Sequence, residues 1–232
     1  METTHSLLGL ALILSAVPGA SAQSISGQNP VVFDHTISWP LAFQLDGTGP
    51  IIDVGNRPGL NTATFTVSAF VKFNAIAPGD MSIVDKMSVS TIPNEDGWRL
   101  LKQDDGFFWF CLGGGSVNGC TETAATTVIS TTAPVAGVWY NVVGVLSKSE
   151  IAIYVNGVKE GSKSLPGFTD SHSAPVRIGS SPERGGYAFF DGVIDEVLFH
   201  QKALKGRAIE ALCAEENGHV ACHPESGRHD DD

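Results

Sequence analysis

Two carboxylates held about 5 to 9 Å apart can cleave a glycosidic bond, so the acidic residues are the first candidates for chemistry. Residues 191–197 (DGVIDEV) are a dense acidic run, with Asp195 adjoining Glu196. Neighbours on a strand point to opposite faces, so this pair is not expected to flank one bond. Glu95, Asp96, Asp104 and Asp105 bracket residues 97–103 (GWRLLKQ) and read as solvated turn residues. No Gly-x-Ser-x-Gly, His-Glu-x-x-His or phosphate-binding loop occurs. The expectation is a protein with no catalytic residues. Aromatic rings are the second resource, because a ring can stack on the apolar face of a ligand while polar neighbours fix its orientation. Trp109 lies in the apolar run FFWF and is expected to be buried. Tyr187 and Arg184, with two glycines between them in SPERGGYAFF, and Trp98, after Asn94-Glu95-Asp96-Gly97, are the ligand-binding candidates. A plain loop anchor is the competing reading for each.

The cysteines depend on the compartment. Residues 7–17 (LLGLALILSAV) are uncharged and apolar, and Pro18, Gly19 and the small triplet Ala20-Ser21-Ala22 follow. This predicts a secretory signal over 1–22 with cleavage after Ala22. The run is too short for a spanning helix, which takes about 20 residues, so no membrane anchor is expected. In an oxidising compartment four cysteines suggest disulfides. Three pairings are formally open, and the local ones, Cys111 with Cys120 and Cys213 with Cys222, are favoured. Each encloses a glycine-containing segment able to turn back on itself, and each loop would stabilise by about 2.5 to 3 kcal/mol. Zinc is the weaker alternative: His219 and His223 flank Cys222, but the tight Cys-x-x-Cys spacing is missing.

Strands must position these groups. Residues 30–200 are β-branched and aromatic runs separated by Gly, Pro, Asn and Asp. In 64–73 (TFTVSAFVKF), Phe65, Val67, Ala69, Val71 and Phe73 share one face at period two, and the other face reads as only partly covered. In 106–112 and 139–146 both alternating sets are largely apolar, predicting strands buried between layers. Asn156-Gly157, between IAIYV and Val158, predicts a hairpin with a type I′ turn. Only 203–214 (ALKGRAIEALCA) has helical spacing, enough for one or two turns. The 232 residues carry 14 basic against 25 acidic side chains, a net charge of -11. Without clustered Lys and Arg, neither a nucleic acid nor an anionic membrane is an expected partner.

Six segments, in this order, resemble the laminin-G-like, concanavalin A-type jelly-roll family. They are LAFQLDGTGPIIDVG (41–55), FTVSAFVKF (65–73), GWRLLKQDDGFFWF (97–110), VWYNVVGVLSKSEIAIYVNG (138–157), PVRIGSS (175–181) and FFDGVIDEVLFHQKAL (189–204). The resemblance implies an all-β sandwich of two antiparallel sheets, six or seven strands each and one concave, with one short C-terminal helix. It divides the chain into a signal over 1–22, one domain over 23–222 and a polar tail over 223–232. Trp139 falls on a family core strand, which implies packing. The Glu-x-Asp-x-x-Glu strand of laminarinase-type relatives has no counterpart here. Many relatives hold a structural calcium at the sandwich edge, and Asp46 and Asp195 fall on the matching positions; turn carbonyls beside Gly47 and Gly49 could add oxygens. Against the ion, Asp in a D-G-T-G turn is fully explained by bonds to its own backbone. The expected function is a secreted module that binds extracellular carbohydrate or glycoprotein. The alternative is a structural or adhesive protein-protein domain, with a glycan-cleaving enzyme third.

Overall fold

The computed structural model describes residues 31–33, 36–39, 42–49, 52–57, 59–89, 95–113, 120–165, 174–183 and 186–214. The expected signal segment and tail lie outside them. In chain order the strands are β1 (Val31–Phe33), β2 (Thr36–Trp39), β3 (Phe43–Asp46), β4 (Ile52–Gly55), β5 (Phe65–Phe73), β6 (Met81–Asp85), β7 (Ser88–Val89), β8 (Glu95–Lys102) and β9 (Phe108–Gly113). Then follow β10 (Thr127–Ile129), β11 (Trp139–Leu146), β12 (Glu150–Val155), β13 (Val158–Ser164), β14 (Val176–Ile178), β15 (Pro182–Glu183), β16 (Gly186–Tyr187), β17 (Asp191–His200) and the helix α1 (Arg207–Ala214).

The strands form two large antiparallel sheets. One has eight strands in the order β1-β2-β17-β5-β11-β12-β13, with β3 also on β17. Because β2 pairs with 197–200 of β17 and β3 with 191–194, the two lie end to end along one side, and the sheet is seven strands wide. The other has seven strands in the order β10-β9-β8-β6-β14-β4, with β7 also on β8. There β7 and β6 share one side of β8, giving a width of six. The widths match those the family resemblance implies. β15 and β16 form a separate small hairpin.

Alternation decides what lies between the sheets. Phe65, Val67, Ala69, Val71 and Phe73 of β5 all face the core. So do Trp98 and Leu100 of β8 and Phe108, Phe110 and Leu112 of β9. Phe65 stacks on Phe199 at 5.1 Å and meets Phe110 edge-on at 6.0 Å, which ties both sheets together through rings.

The outer side of β5 is better covered than its sequence suggests, since Thr66, Ser68 and Phe70 are buried as well. Part of the cause is the chain after β17: Thr66 Oγ1 donates to Lys202 O at 3.0 Å and accepts from Leu204 N at 2.9 Å. α1 then lies on the same outer side, where Ile209 and Leu212 pack on Val143, Val145 and Ala152. The helix is two turns long, as its spacing predicts. No helix among the described residues is long and apolar enough to cross a membrane.

Candidate functional site

The outer side of the seven-stranded sheet carries a row of charges. Ile52 and Val54, Val176 and Ile178, and Trp98 and Leu100 turn inward, so Asp53, Arg177 and Arg99 between them turn outward. Strand register aligns them. Asp53 of β4 lies opposite Arg177 of β14, Arg177 opposite Asp85 of β6, Asp85 opposite Arg99 of β8, and Arg99 opposite Cys111 of β9.

Asp85 is fully buried and fully bonded. Its Oδ2 accepts from Arg99 Nε at 2.6 Å and from Ser181 Oγ at 2.8 Å, and its Oδ1 accepts from Met87 N at 2.9 Å. These bonds bring the segments after β6 and after β14 down over the row. Arg177 differs. It is half-buried, its neighbour Asp85 is already engaged by Arg99, and it donates no side-chain hydrogen bond among the described residues. Asp53 Oδ1 accepts from Gly55 N at 2.8 Å, which leaves Oδ2. Residues directly opposite across strands hold their Cβ atoms about 4.5 to 5.5 Å apart, so the Arg177 fork and a carboxylate oxygen of Asp53 stand within reach of one ligand. A guanidinium can bind an acceptor pair bidentately while the carboxylate accepts from a hydroxyl.

An apolar floor adjoins the row. Leu101, Trp109 and Cys111 pack together on this outer side, with Phe107, Cys120 and Ile129 against them. Trp109 Nε1 donates to Asp105 Oδ2 at 2.9 Å, which fixes the ring. The Cys111–Cys120 disulfide, with Cα atoms 5.3 Å apart, holds Cys120 over β9. This is one of the two expected local pairings. Cys213 is disulfide-bonded too, while Cys222 lies outside the described residues.

The residues singled out from sequence are placed elsewhere. Trp98 is a correction: its ring is in the core, 1% exposed and stacked on Phe199 at 5.7 Å. The strand starts at Glu95, so Glu95 and Asp96 belong to β8 and not to a loop, and Trp98 shares the inward face with Leu100. Trp139 is corrected in the opposite sense, standing half-exposed outside the eight-stranded sheet with Lys72 Nζ 5.0 Å from its ring centroid. Arg184 lies outside the described residues, and Tyr187 is described by its backbone, paired with Pro182.

Asp46 and Asp195 do not fit one calcium ion. The register sets Asp46 opposite Asp191, and Asp195 is four residues farther along β17, about 13 Å at roughly 3.3 Å per residue. Asp46 Oδ1 accepts from Thr48 N at 3.0 Å and Thr48 Oγ1 at 2.9 Å. Those bonds, the backbone one first, hold its carboxyl below the usual range. Asp195 Oδ1 accepts from Glu196 N at 2.9 Å, where β17 is bulged and Glu196 takes φ 45°. The bulge also breaks the simple alternation expected of Asp195 and Glu196. Among the described residues, no three His, Cys, Asp or Glu side chains are grouped as a metal would need.

Asp53, Asp85, Arg99 and Arg177 are the functional candidates that sequence reasoning missed. Their signal was present in Ile-Asp-Val at 52–54 and Val-Arg-Ile at 176–178, each a charge between two inward apolar residues. What the sequence does not display is that these strands are joined through β6.

Comparison with known proteins agrees with this architecture. The family model Laminin_G_3, described as the concanavalin A-like lectin/glucanases superfamily, matches residues 46–210. No curated protein matches the chain in sequence. Among solved structures, the binding domain of Paraclostridial Mosquitocidal Protein 1 is similar at TM-score 0.56 and 17% identity. The match covers 83% of this chain and 45% of that one, so this chain spans less than half of that relative. The Ruminococcus gnavus IT-sialidase CBM40 bound to α2,3-sialyllactose is similar at TM-score 0.61 and 16% identity, over 76% of this chain and 97% of that one. A heptameric SAP-like pentraxin from Limulus polyphemus is similar at TM-score 0.55 and 17% identity, over 74% and 81%. At such identities the likeness is one of fold.

Proposed function

The chain belongs to the concanavalin A-like lectin/glucanase superfamily, and on that premise we propose that it is a secreted recognition module that binds extracellular carbohydrate or glycoprotein without turning it over. The ligand lies on the outer side of the seven-stranded sheet. The observation that carries this reading is Arg177: an outward guanidinium free of side-chain bonds among the described residues, beside the Asp53 carboxylate and on a rigid row anchored by Asp85 and Arg99. Adjacent hydroxyls of a sugar, or a hydroxyl and a carboxylate, present the acceptors and donors that such a pair takes. The sialyllactose-bound CBM40 supports it as an instance of a similar fold that holds a glycan. Calcium is a variable of the test and not a premise. Secretion with a mature chain starting at Gln23 is part of the proposal, and the mass of the released protein tests it.

A glycan array run with calcium and with chelator tests the binding. Expected are sugar-inhibitable signals that Arg177→Ala weakens about tenfold or more, the effect of losing a hydrogen bond to a charged group. An array silent in both conditions, alongside a protein captured in a pull-down, overturns this reading in favour of adhesion. Release of reducing ends or unsaturated products from polysaccharide overturns it in favour of an enzyme.

A further inference from the structure

The large hydrophobic side chains that stand exposed among the described residues gather at one end of the sandwich. Ile76, 37% exposed, is in the loop from β5 to β6; Val135 and Val138, 59% and 45% exposed, are in the loop that enters β11. β5 and β11 are paired with Trp139 opposite Lys72, which places the two loops side by side. Gly137 N donates to Phe73 O at 2.8 Å and ties one to the other. Residues 74–79 (NAIAPG) and 133–138 (APVAGV) contain no charge, in a chain whose net charge is -11. All of them but Pro134 are exposed.

Neither loop is slack. Lys102 Nζ donates to Ala77 O at 2.7 Å and Gly79 O at 2.8 Å from behind the first. In the second, Val135 N donates to Tyr140 Oη at 3.0 Å, and Thr131 N and Thr132 N each donate to Glu160 Oε2 at 2.8 Å. The backbone is fixed, so the aliphatic side chains are held out into solvent. One layer back stand Trp139 and Lys72, in contact with each other. An aliphatic tip backed by Trp and Lys is the order of groups found across a membrane interface, apolar side chains in the acyl region and Trp and Lys at the headgroups.

We infer that this two-loop tip inserts shallowly into a neutral, zwitterionic lipid surface. The two loops themselves bring no charge into the hydrocarbon, where each charge would be costly. Insertion stays shallow because Asp80, to which Asp104 N donates at 3.0 Å, and the exposed Asp104 and Asp105 of the adjoining β8–β9 turn must remain at the headgroups. Anionic lipid is disfavoured, because Asp46 and Asp191 face each other close behind the tip, Asp191 Oδ1 accepting from Asn74 Nδ2 at 2.8 Å. A protein partner or a second copy fits less well, since a stable interface takes about 20 to 30 residues a side and the tip consists of two six-residue loops. The tip is at an end of the sandwich and the Arg177 row on a face, so the two sites do not compete.

The test is flotation of the full chain with phosphatidylcholine vesicles at low and high salt. The expected result is co-flotation insensitive to salt, reduced about tenfold or more in the triple variant Ile76→Ser/Val135→Ser/Val138→Ser, whose melting temperature is unchanged because all three side chains are exposed. Should the triple variant fold poorly, Val135→Ser alone is expected to lower the floating fraction severalfold. Wild-type protein that stays with the soluble fraction overturns the inference, as does a triple variant that floats equally well. A sedimentation dimer lost in the triple variant also overturns it, by assigning the tip to a second copy.

Discussion

A carboxyl group as deeply buried as Asp85 is tolerated only when its oxygens are bonded, and Arg99, Ser181 and the Met87 amide do this. Removing one partner leaves a stranded charge, a loss of about 3 to 5 kcal/mol for a buried pair. Arg99→Met is therefore expected to lower the free energy of urea unfolding by about that much, whereas Asp85→Leu/Arg99→Met, which takes out both charges, recovers most of it. If the single and double variants unfold alike, the pair is not what holds the row. Arg177→Ala, by contrast, removes a side chain without such bonds and is expected to leave unfolding within about 0.5 kcal/mol of wild type. The adjacent Trp98 and Arg99 show why this was hard to read in advance. Residues 98–101 are Trp-Arg-Leu-Leu, so on a strand Trp98 and Leu100 form the wholly apolar set while Arg99 shares its face with Leu101. Reading Glu95 and Asp96 as turn residues hides this, because the strand begins at Glu95.

Elements whose geometry is set locally were legible, and those set by distant partners were not. The β12–β13 hairpin needs positive φ at both turn residues, and Asn156 at 52° and Gly157 at 81° supply it. A Cβ at Gly157 would meet nothing closer than Glu210 Cα at 3.8 Å, so Gly157→Ala is expected to cost only the backbone strain, about 1 to 2 kcal/mol. Gly97 also has positive φ, at 121°, but a Cβ there would be 2.0 Å from the Lys86 carbonyl oxygen. Backbone cannot yield as a flexible side chain does, so Gly97→Ala is expected to exceed the Gly157 variant severalfold in a parallel thermal or urea melt. Equal losses would contradict the close approach of the Lys86 segment to β8. The same division covers the site. β5 announces itself by alternation, β9 and β11 by continuous apolar runs and the hairpin by turn chemistry, whereas the charged row needs β4, β14, β6 and β8 in that order, strands scattered through the chain. The pairing of Asp46 with Asp195 was illegible for a related reason: the matching of the two to a family pattern carries no register, and the register sets Asp191 opposite Asp46.

At the scale of the molecule, acid is expected to act in two steps. Of seven histidines, His200 is the one among the described residues. Burial first, and then the charge of Lys202, lower its pKa below the ordinary 6.5. The folded chain therefore resists protonation at a pH where the unfolded chain accepts it, and in that window the unfolded state binds more protons. Stability from this group is complete above 6.5, declines as pH falls through 6.5, and levels off below the folded value. Asp46 and Glu150 act later and in the familiar acid direction. Their pKa values are lowered from 3.8 and 4.5, by the Thr48 amide and by the hydrogen bond from Lys159, so what they contribute is present above those values and lost as pH falls through the lowered ones. Asp46 is exposed and Glu150 partly so, and the second step is therefore expected to be shallow. Urea midpoints at about pH 7.5 and about pH 5.5 isolate the first step, because the carboxylates stay ionised across that interval. Wild type is expected to unfold at lower urea at the acid end. In His200→Gln, which cannot titrate, the difference is expected to shrink, and a drop of undiminished size in that variant would move the acid sensitivity away from this strand.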